Sequence, residues 1–536
     1  MWKLIGALAS ALLACVVAPL SASANGNDPC PHPASGSPVT QPPDLFSKYG
    51  VLNVSFDYYT SVDAGRTLFC FVTPDGLQSP TLHVKPGDTL NISVTNRNPL
   101  PPPGSPTEVV SNAADRCGDV TMTITSLNVH FHGTNTKPGC HSDEVIHTII
   151  NSGETFKYSV KFPPNEPPGL YWYHPHVHGI AEGAVQGGAS GAIVVEGIED
   201  LQPAVVGLPE RVLIIRDQTI PSGPTPGGAI PSWDVSLNYV PIAYPGFTPA
   251  IIQMKPDQQE FWRVANASAD TIIDLQVQYD GAPQTLQVVG LDGVPTGSQD
   301  GTRRAKLVTQ TEILLAPAAR AEFIVKGPSA AVKNASFLTL GVDTGPGGDS
   351  DPQRPLARIM MSASTPPLRV IPASREAAYP QQFEGLDTAP VTAKRTLYFS
   401  EVLSDPNNPA SPTNFFITVD GATPTLFDPN NPPAITTKQG AVEDWTIENR
   451  TQEHHEFHMH QIHFLLLEQN GVPVSPEQRQ YLDMIQVPYW TGAGPYPSVK
   501  VRMDFRGMDV GDFVYHCHIL GHEDNGMMAT IRVLPR

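Results

Sequence analysis

Histidine, cysteine and methionine crowd one short segment, residues 515–528, which reads YHCHILGHEDNGMM. Along a strand the side chains alternate faces, so in His516-Cys517-His518 the two imidazoles share one face and the thiol points to the other. One tripeptide can therefore hold metal on both sides. His522 and Met527 follow Cys517 by five and ten residues, a loop spacing that lets a second imidazole and a weak thioether close around the sulfur. Two histidines, one cysteine and a long axial methionine make a blue-copper electron-transfer site. The histidine still missing from that set can come from residues 453–464, EHHEFHMHQIHF, where His455, His458 and His460 form the pattern HxxHxH.

Two further stretches carry paired histidines: NVHFHG, with His130 and His132, and YWYHPHVHG, with His174 and His176. Together with His458/His460 and His516/His518 they give four His-x-His pairs, or eight imidazoles beyond the blue-copper set. Eight imidazoles without a carboxylate-rich ligand set suit a cluster of three coppers. Structural zinc is the alternative, but zinc sites usually close with four ligands, and twelve candidate donors with a thioether at this offset argue against it.

The four motifs, in this order, resemble the multicopper oxidase family, which includes laccases, bilirubin oxidases and bacterial cuprous oxidases. Carried over residue by residue, the resemblance implies His455, Cys517, His522 and axial Met527 at a type 1 copper, and His130 and His458 at a type 2 copper. It implies His132, His174, His176, His460, His516 and His518 at a type 3 pair, four copper ions in all. Electrons would enter at the type 1 site and cross through Cys517 to its covalent neighbours His516 and His518. Dioxygen would be reduced to water, which consumes protons, and Glu523 and Asp143 resemble the family's proton-relay acids.

The chain must supply elements that position these residues. At 536 residues it is too long for one ordinary core,. Its 56 prolines and 44 glycines punctuate short β-branched runs, an all-β pattern. A weak repeat divides the chain: Lys85, Lys255 and Lys438 each precede a turn and a strand ending eleven residues later in Asn96, Asn266 and Asn449,. The resemblance implies three consecutive Greek-key cupredoxin-like β-sandwich domains, at 44–200, 201–374 and 375–536. All 17 histidines precede Gly179 or follow Glu453, so the first and third domains each bring two His-x-His pairs to a cluster at their interface. The middle domain is then a spacer and a wall of the substrate pocket. Linker candidates are 221–228, 345–355 and 405–412, each also readable as an ordinary loop.

Residues 1–24 have Lys3, an apolar run from Leu4 to Leu20 and Ala22-Ser23-Ala24, the layout of a cleavable signal peptide for a secreted or periplasmic protein. The run Leu12-Leu13-Ala14-Cys15 leaves a lipoprotein signal as the lesser alternative. No later segment reaches the length of a membrane span. Thirty-three basic against 52 acidic residues give a net charge of −19, which opposes nucleic acid and anionic membrane as partners. After cleavage Cys30, Cys70, Cys117 and Cys140 remain beside Cys517, with three possible pairings. Cys117 and Cys140 bracket the strand of His130 and His132, which favours that bridge and leaves Cys30 with Cys70.

His178, His454 and His463 lie among the ligands but outside the family pattern and read as supporting or surface residues. His141 and His147 read as loop histidines, and His32 and His83 carry no signal. Asn53, Asn91, Asn266, Asn334 and Asn449 begin Asn-x-Ser/Thr sites,. Eleven methionines form no methionine-rich run, which favours a phenol or aromatic amine over a cuprous or ferrous ion as the reductant. The expectation is a monomeric laccase-like oxidase, with a metallo-oxidase as the alternative. A non-enzymatic scaffold of the same fold is the remote third reading, opposed by the intact ligand set.

Overall fold

The structure, a computed structural model, describes residues 28–536 except 111–116, 222, 298–305, 374–382, 409, 476–478 and 508. The expected signal segment therefore lies outside the described residues. Three β-sandwiches follow one another, with their sheets drawn from residues 44–195, 210–361 and 393–534. Alternation builds them: in Val51–Asp63, Leu52, Val54, Phe56 and Tyr58 are buried and the residues between them are not, so one face packs and the other meets water. Among the described residues the longest helix is Ala181–Gln186, and no helix is long and apolar enough to cross a membrane.

The first and third sandwiches share one sheet plan. In the first, Thr81–Val84 pairs parallel with Gly191–Val195, which pairs antiparallel with Gly169–His174, which pairs antiparallel with His130–His132. In the third, Ile435–Lys438, Met528–Leu534, Gly511–Cys517 and His455–Met459 repeat that order and those directions.

The Lys-to-Asn repeat is a structural repeat. Thr89–Asn96, Gln259–Asn266 and Val442–Asn449 each have one parallel and one antiparallel neighbour in the sheet. Each ends in a fully buried asparagine whose side-chain amide donates to at least two backbone carbonyls: Thr125 and Ile150; Thr271, Leu315 and Ala316; Glu453 and Val487. Its side-chain oxygen accepts the N–H two residues on, at Asn98, Ser268 and Thr451. This corner ties a strand end to neighbouring loops whose carbonyls would otherwise be buried unpaired. Asn266 and Asn449 are therefore not free for modification, which removes two of the five sequence sites.

The disulfides are Cys30–Cys70 and Cys117–Cys140, and Cys517 is free and buried. His83, silent in the sequence, is buried between Asp44 and Glu196, its Nε2 and Nδ1 lying 3.0 and 2.6 Å from their carboxylates.

Candidate metal centre

Strand parity decides where each donor points. In Gly169–His174, Tyr171 and Tyr173 face the core of the first sandwich, while Leu170 and Trp172 pack into the core of the middle one. His174 continues the Leu170/Trp172 face. In Gly511–Cys517, Phe513, Tyr515 and Cys517 face the core of the third sandwich, and His516 takes the other face with Val514, which packs against Val145 and Ile146 of the first. In His455–Met459, Phe457 and Met459 point inward with His455, and His458 points out. The His-x-His pairs thus leave their own sandwiches for the shared interface, and Cys517 and His455 stay inside the third.

At the interface the eight imidazoles are at most 1% exposed. His516 Nε2 lies 3.2 Å from His176 Nε2 and 3.1 Å from His460 Nε2. Subsets spanning both sandwiches, such as His130/His458/His460 and His176/His460/His516, have nitrogens within 4.8 Å of one another. Backbone and side-chain acceptors fix the rings. His174 Nδ1 donates to the Pro175 carbonyl at 2.8 Å, His516 Nδ1 to the Cys517 carbonyl at 2.9 Å, His458 Nδ1 to the Asp483 carbonyl at 2.8 Å and His130 Nδ1 to Asp143 at 2.9 Å. His130 Nε2, His132 Nδ1, His174 Nε2 and His458 Nε2 are then buried with no protein partner. Burial and the neighbouring imidazoles push these histidines well below their usual pKa, so they are neutral with lone pairs aimed at one another. Buried acceptors converging without donors fit a cation between them.

Inside the third sandwich Cys517 Sγ lies 3.6 Å from His455 Nδ1 and 3.7 Å from His522 Nδ1, and the two nitrogens are 3.1 Å apart. His455 Nε2 donates to Thr451 Oγ1 at 2.9 Å, which leaves Nδ1 as its free donor atom. Met527 is fully buried in the same apolar cluster as Cys517. The Glu456 N–H reaches the sulfur at 3.4 Å. Burial raises the thiol pKa well above 9, so a metal binding there displaces a proton that the apolar pocket otherwise retains. A pocket of two imidazole nitrogens and one thiol sulfur, with a thioether nearby, suits copper.

Asp143 is buried, accepts from Phe131 N at 3.1 Å and from Gln461 Nε2 at 2.7 Å, and burial raises its pKa well above 3.8. Glu523 lies with Oε2 3.2 Å from His516 Nδ1 and Oε1 3.6 Å from His176 Nδ1, and its pKa is also raised by burial. Both acids therefore touch cluster histidines, one from each side.

Sequence reasoning missed two features. Asp483, in QYLDMIQ, is fully buried with Oδ1 3.3 Å from His132 Nε2; its signal was a lone charge between the apolar residues of two short strands. A small cleft of about 120 Å³ opens beside His522, lined by Glu182, Trp233, Asp270, Asp349, Glu453 and His454. Asp349 comes from the stretch 345–355 that reads in sequence as a linker. Burial and Glu401 beside it push Glu453 up to about 10, and burial with neighbouring acids raises Glu182 to about 6. Of the histidines outside the ligand pattern, His463 is fully buried, with Nε2 2.9 Å from the Asp292 carbonyl. His141 bonds the Lys157 carbonyl and His147 the Pro429 carbonyl.

Family models described as multicopper oxidase match residues 121–200 and 401–536, the segments that hold every one of these donors. The chain belongs to the multicopper oxidase family. It is similar to a laccase of Bacillus subtilis, 27% identical over 76% of this chain and 79% of the relative. It is also similar to a multicopper oxidase of Staphylococcus aureus, 23% identical over 85% and 82%. A multicopper oxidase variant from Aquifex aeolicus superposes with a TM-score of 0.67 at 20% identity, over 93% of this chain and all of that one. A metallo-oxidase from Campylobacter jejuni gives 0.65 at 21% identity, over 94% and 96%. The three sandwiches are accordingly cupredoxin-like, and the multicopper oxidase is an oxidoreductase that uses oxygen and a reductant.

Proposed function

We propose that this multicopper oxidase is a laccase-like enzyme that oxidises phenols or aromatic amines one electron at a time and reduces dioxygen to water. The observation that carries the reading is Cys517, whose sulfur lies 3.6 and 3.7 Å from two imidazole nitrogens inside one sandwich while its covalent neighbours His516 and His518 enter the interface cluster. His455, Cys517, His522 and Met527 would hold a type 1 copper, His130 and His458 a type 2 copper, and His132, His174, His176, His460, His516 and His518 a type 3 pair. Bound there, four coppers supply the one-electron storage that matches single-electron donors to a four-electron acceptor. The protein binds and orients them, excludes water from the buried interface, and holds protons on Glu523 and Asp143 beside the cluster ligands. We take 44–200, 201–374 and 375–536 as the three domains, a division supported by the sheet spans, and a monomer exported to an oxidising compartment, supported by two disulfides,.

The donor would approach His522, whose side chain is 13% exposed in the acidic cleft. That lining favours a second reading, a metal-ion reductant, because crowded carboxylates attract cations; one solved relative is called a metallo-oxidase. Copper-loaded protein and Cys517→Ser are compared by visible spectrum and by oxygen uptake with a methoxyphenol, Cu(I) and Fe(II). An intense thiolate band lost in the variant, with phenol-driven uptake, is the expected result. Uptake driven by the metal ions alone would replace the first reading with the second, and a colourless protein that takes up no copper would sink both.

A further inference from the structure

The middle sandwich has no histidine, yet one of its side chains reaches the cluster. Arg320 opens the strand Arg320–Lys326 and is fully buried. Its guanidinium forks onto Asp483, Nη1 to Oδ1 at 2.7 Å and Nη2 to Oδ2 at 2.6 Å. Two further donors reach the Leu170 carbonyl of the first sandwich at 3.1 Å and the Ala318 carbonyl of the middle one at 3.1 Å. One arginine therefore bonds all three sandwiches.

Asp483 in turn braces a histidine from each side of the interface. Its carboxylate lies 3.3 Å from His132 Nε2, and its main-chain carbonyl accepts from His458 Nδ1 at 2.8 Å. With those nitrogens occupied, His132 Nδ1 and His458 Nε2 are the atoms left facing the cluster, both buried and unpartnered. The packing leaves no slack. Gly133, which follows His132 with φ +81°, has no room for a side chain, because a Cβ would come 2.3 Å from Arg320 Nη2 and 2.4 Å from Asp483 Oδ2. The Arg320 N–H donates to Asp292 at 2.9 Å, and the Asp292 carbonyl holds His463, whose Nε2 lies 3.4 Å from Asp483 Oδ2.

We propose that Arg320 is a positioning residue for the copper cluster: clamped on Asp483, it fixes the ring orientation and tautomer of His132 and His458. This rests on the copper reading above. A bidentate guanidinium holds a carboxylate in one plane, which a lysine's point charge does not. Removing one partner of a buried ion pair strands the other, so without Arg320 the carboxylate loses its reason to face His132.

The test uses the full chain as wild type, Arg320→Met, Arg320→Lys, Asp483→Asn and the control Arg211→Met. The control removes a buried fork of the same kind, Arg211 to Glu260 at 2.9 and 3.0 Å, inside the middle sandwich and away from the ligands. Copper per chain is measured after chelator competition, along with the paramagnetic resonance signal of type 2 copper and the thiolate band of Cys517. Arg320→Met and Asp483→Asn are expected to hold cluster copper about 10–100-fold more weakly, with an altered type 2 signal and the thiolate band kept; Arg320→Lys should fall between. Arg211→Met should lose stability alone. Should Arg320→Met not fold, Arg320→Lys and Asp483→Asn carry the test. An unchanged copper complement and type 2 signal in those two overturns the proposal, as does loss in Asp483→Asn with both arginine variants intact, or equal loss in Arg211→Met. Wild type that binds no cluster copper defeats the copper reading instead.

Discussion

In the first sandwich Gly169–His174 runs into Tyr173-His174-Pro175-His176; in the third, Gly511–Cys517 runs into Tyr515-His516-Cys517-His518. The sheets around them have the same order and direction, and both send the flanking imidazoles outward. They differ on the inward face. By strand register, His455, Cys517 and Met527 correspond to Leu127, Pro175 and Ala189, and the loop that in the third sandwich carries His522 is of different length in the first. Leu127 and Ala189 are fully buried apolar residues in the core of the first sandwich. One scaffold thus fills the same inward positions with ordinary core in one copy and with a donor pocket in the other. The interface cluster needs both copies, whereas the pocket around Cys517 needs only the copy whose core was given up to it.

This contrast can be tested from the largest effect downward. Glu523 lies in the third sandwich between Cys517 and Met527, in the loop whose length differs between the two copies, and it touches His516 and His176. Glu523→Gln is expected to slow oxygen reduction by about 10²–10⁴-fold with the thiolate band intact; unaltered turnover with saturating reductant would remove the residue from proton delivery. On the other side of the comparison, Leu127→Ala should cost about 2–5 kcal/mol of stability, read from denaturant midpoints, without moving the thiolate band. A shifted band would show that the two inward faces are not independent.

The smallest effect concerns a buried ion cluster at the edge of the first sandwich. Burial opposes charging His83, but Asp44 and Glu196 outweigh it and raise its pKa above 6.5. Burial would likewise raise Glu196, yet His83 and Arg369 hold it at about 2. The histidine's contribution is complete below its unfolded value of 6.5 and is lost as pH rises through the higher folded value,. Stability should therefore decline on the alkaline side of 6.5 by no more than about 1.4 kcal/mol per pH unit. His83→Gln should flatten that decline, and an equally steep decline in the variant would assign it elsewhere.

Much of this was legible in the sequence because it is local. Two-residue periodicity assigns His516, Cys517 and His518 to their faces without knowledge of any partner, and the Lys-to-Asn phrase marks the buried asparagine corner of each sandwich. The Asp483 clamp was not legible. Its arginine stands 163 residues earlier, and nothing in either neighbourhood specifies the other. The cleft beside His522 escaped for the same reason, since Glu182, Asp270 and Glu453 come from three sandwiches. His83 looked inert because its partners, Asp44 and Glu196, are distant in sequence and adjacent only through strand pairing.

The contact between His176 and His516 spans 340 residues. Domains generally fold as units before they dock, and closing so long a separation is among the slower steps open to a chain. On that order the first sandwich would fold with its four imidazoles uncovered until the third docks. The histidine cluster is in this sense a late feature of the fold, formed where two of the three sandwiches meet and owned by neither.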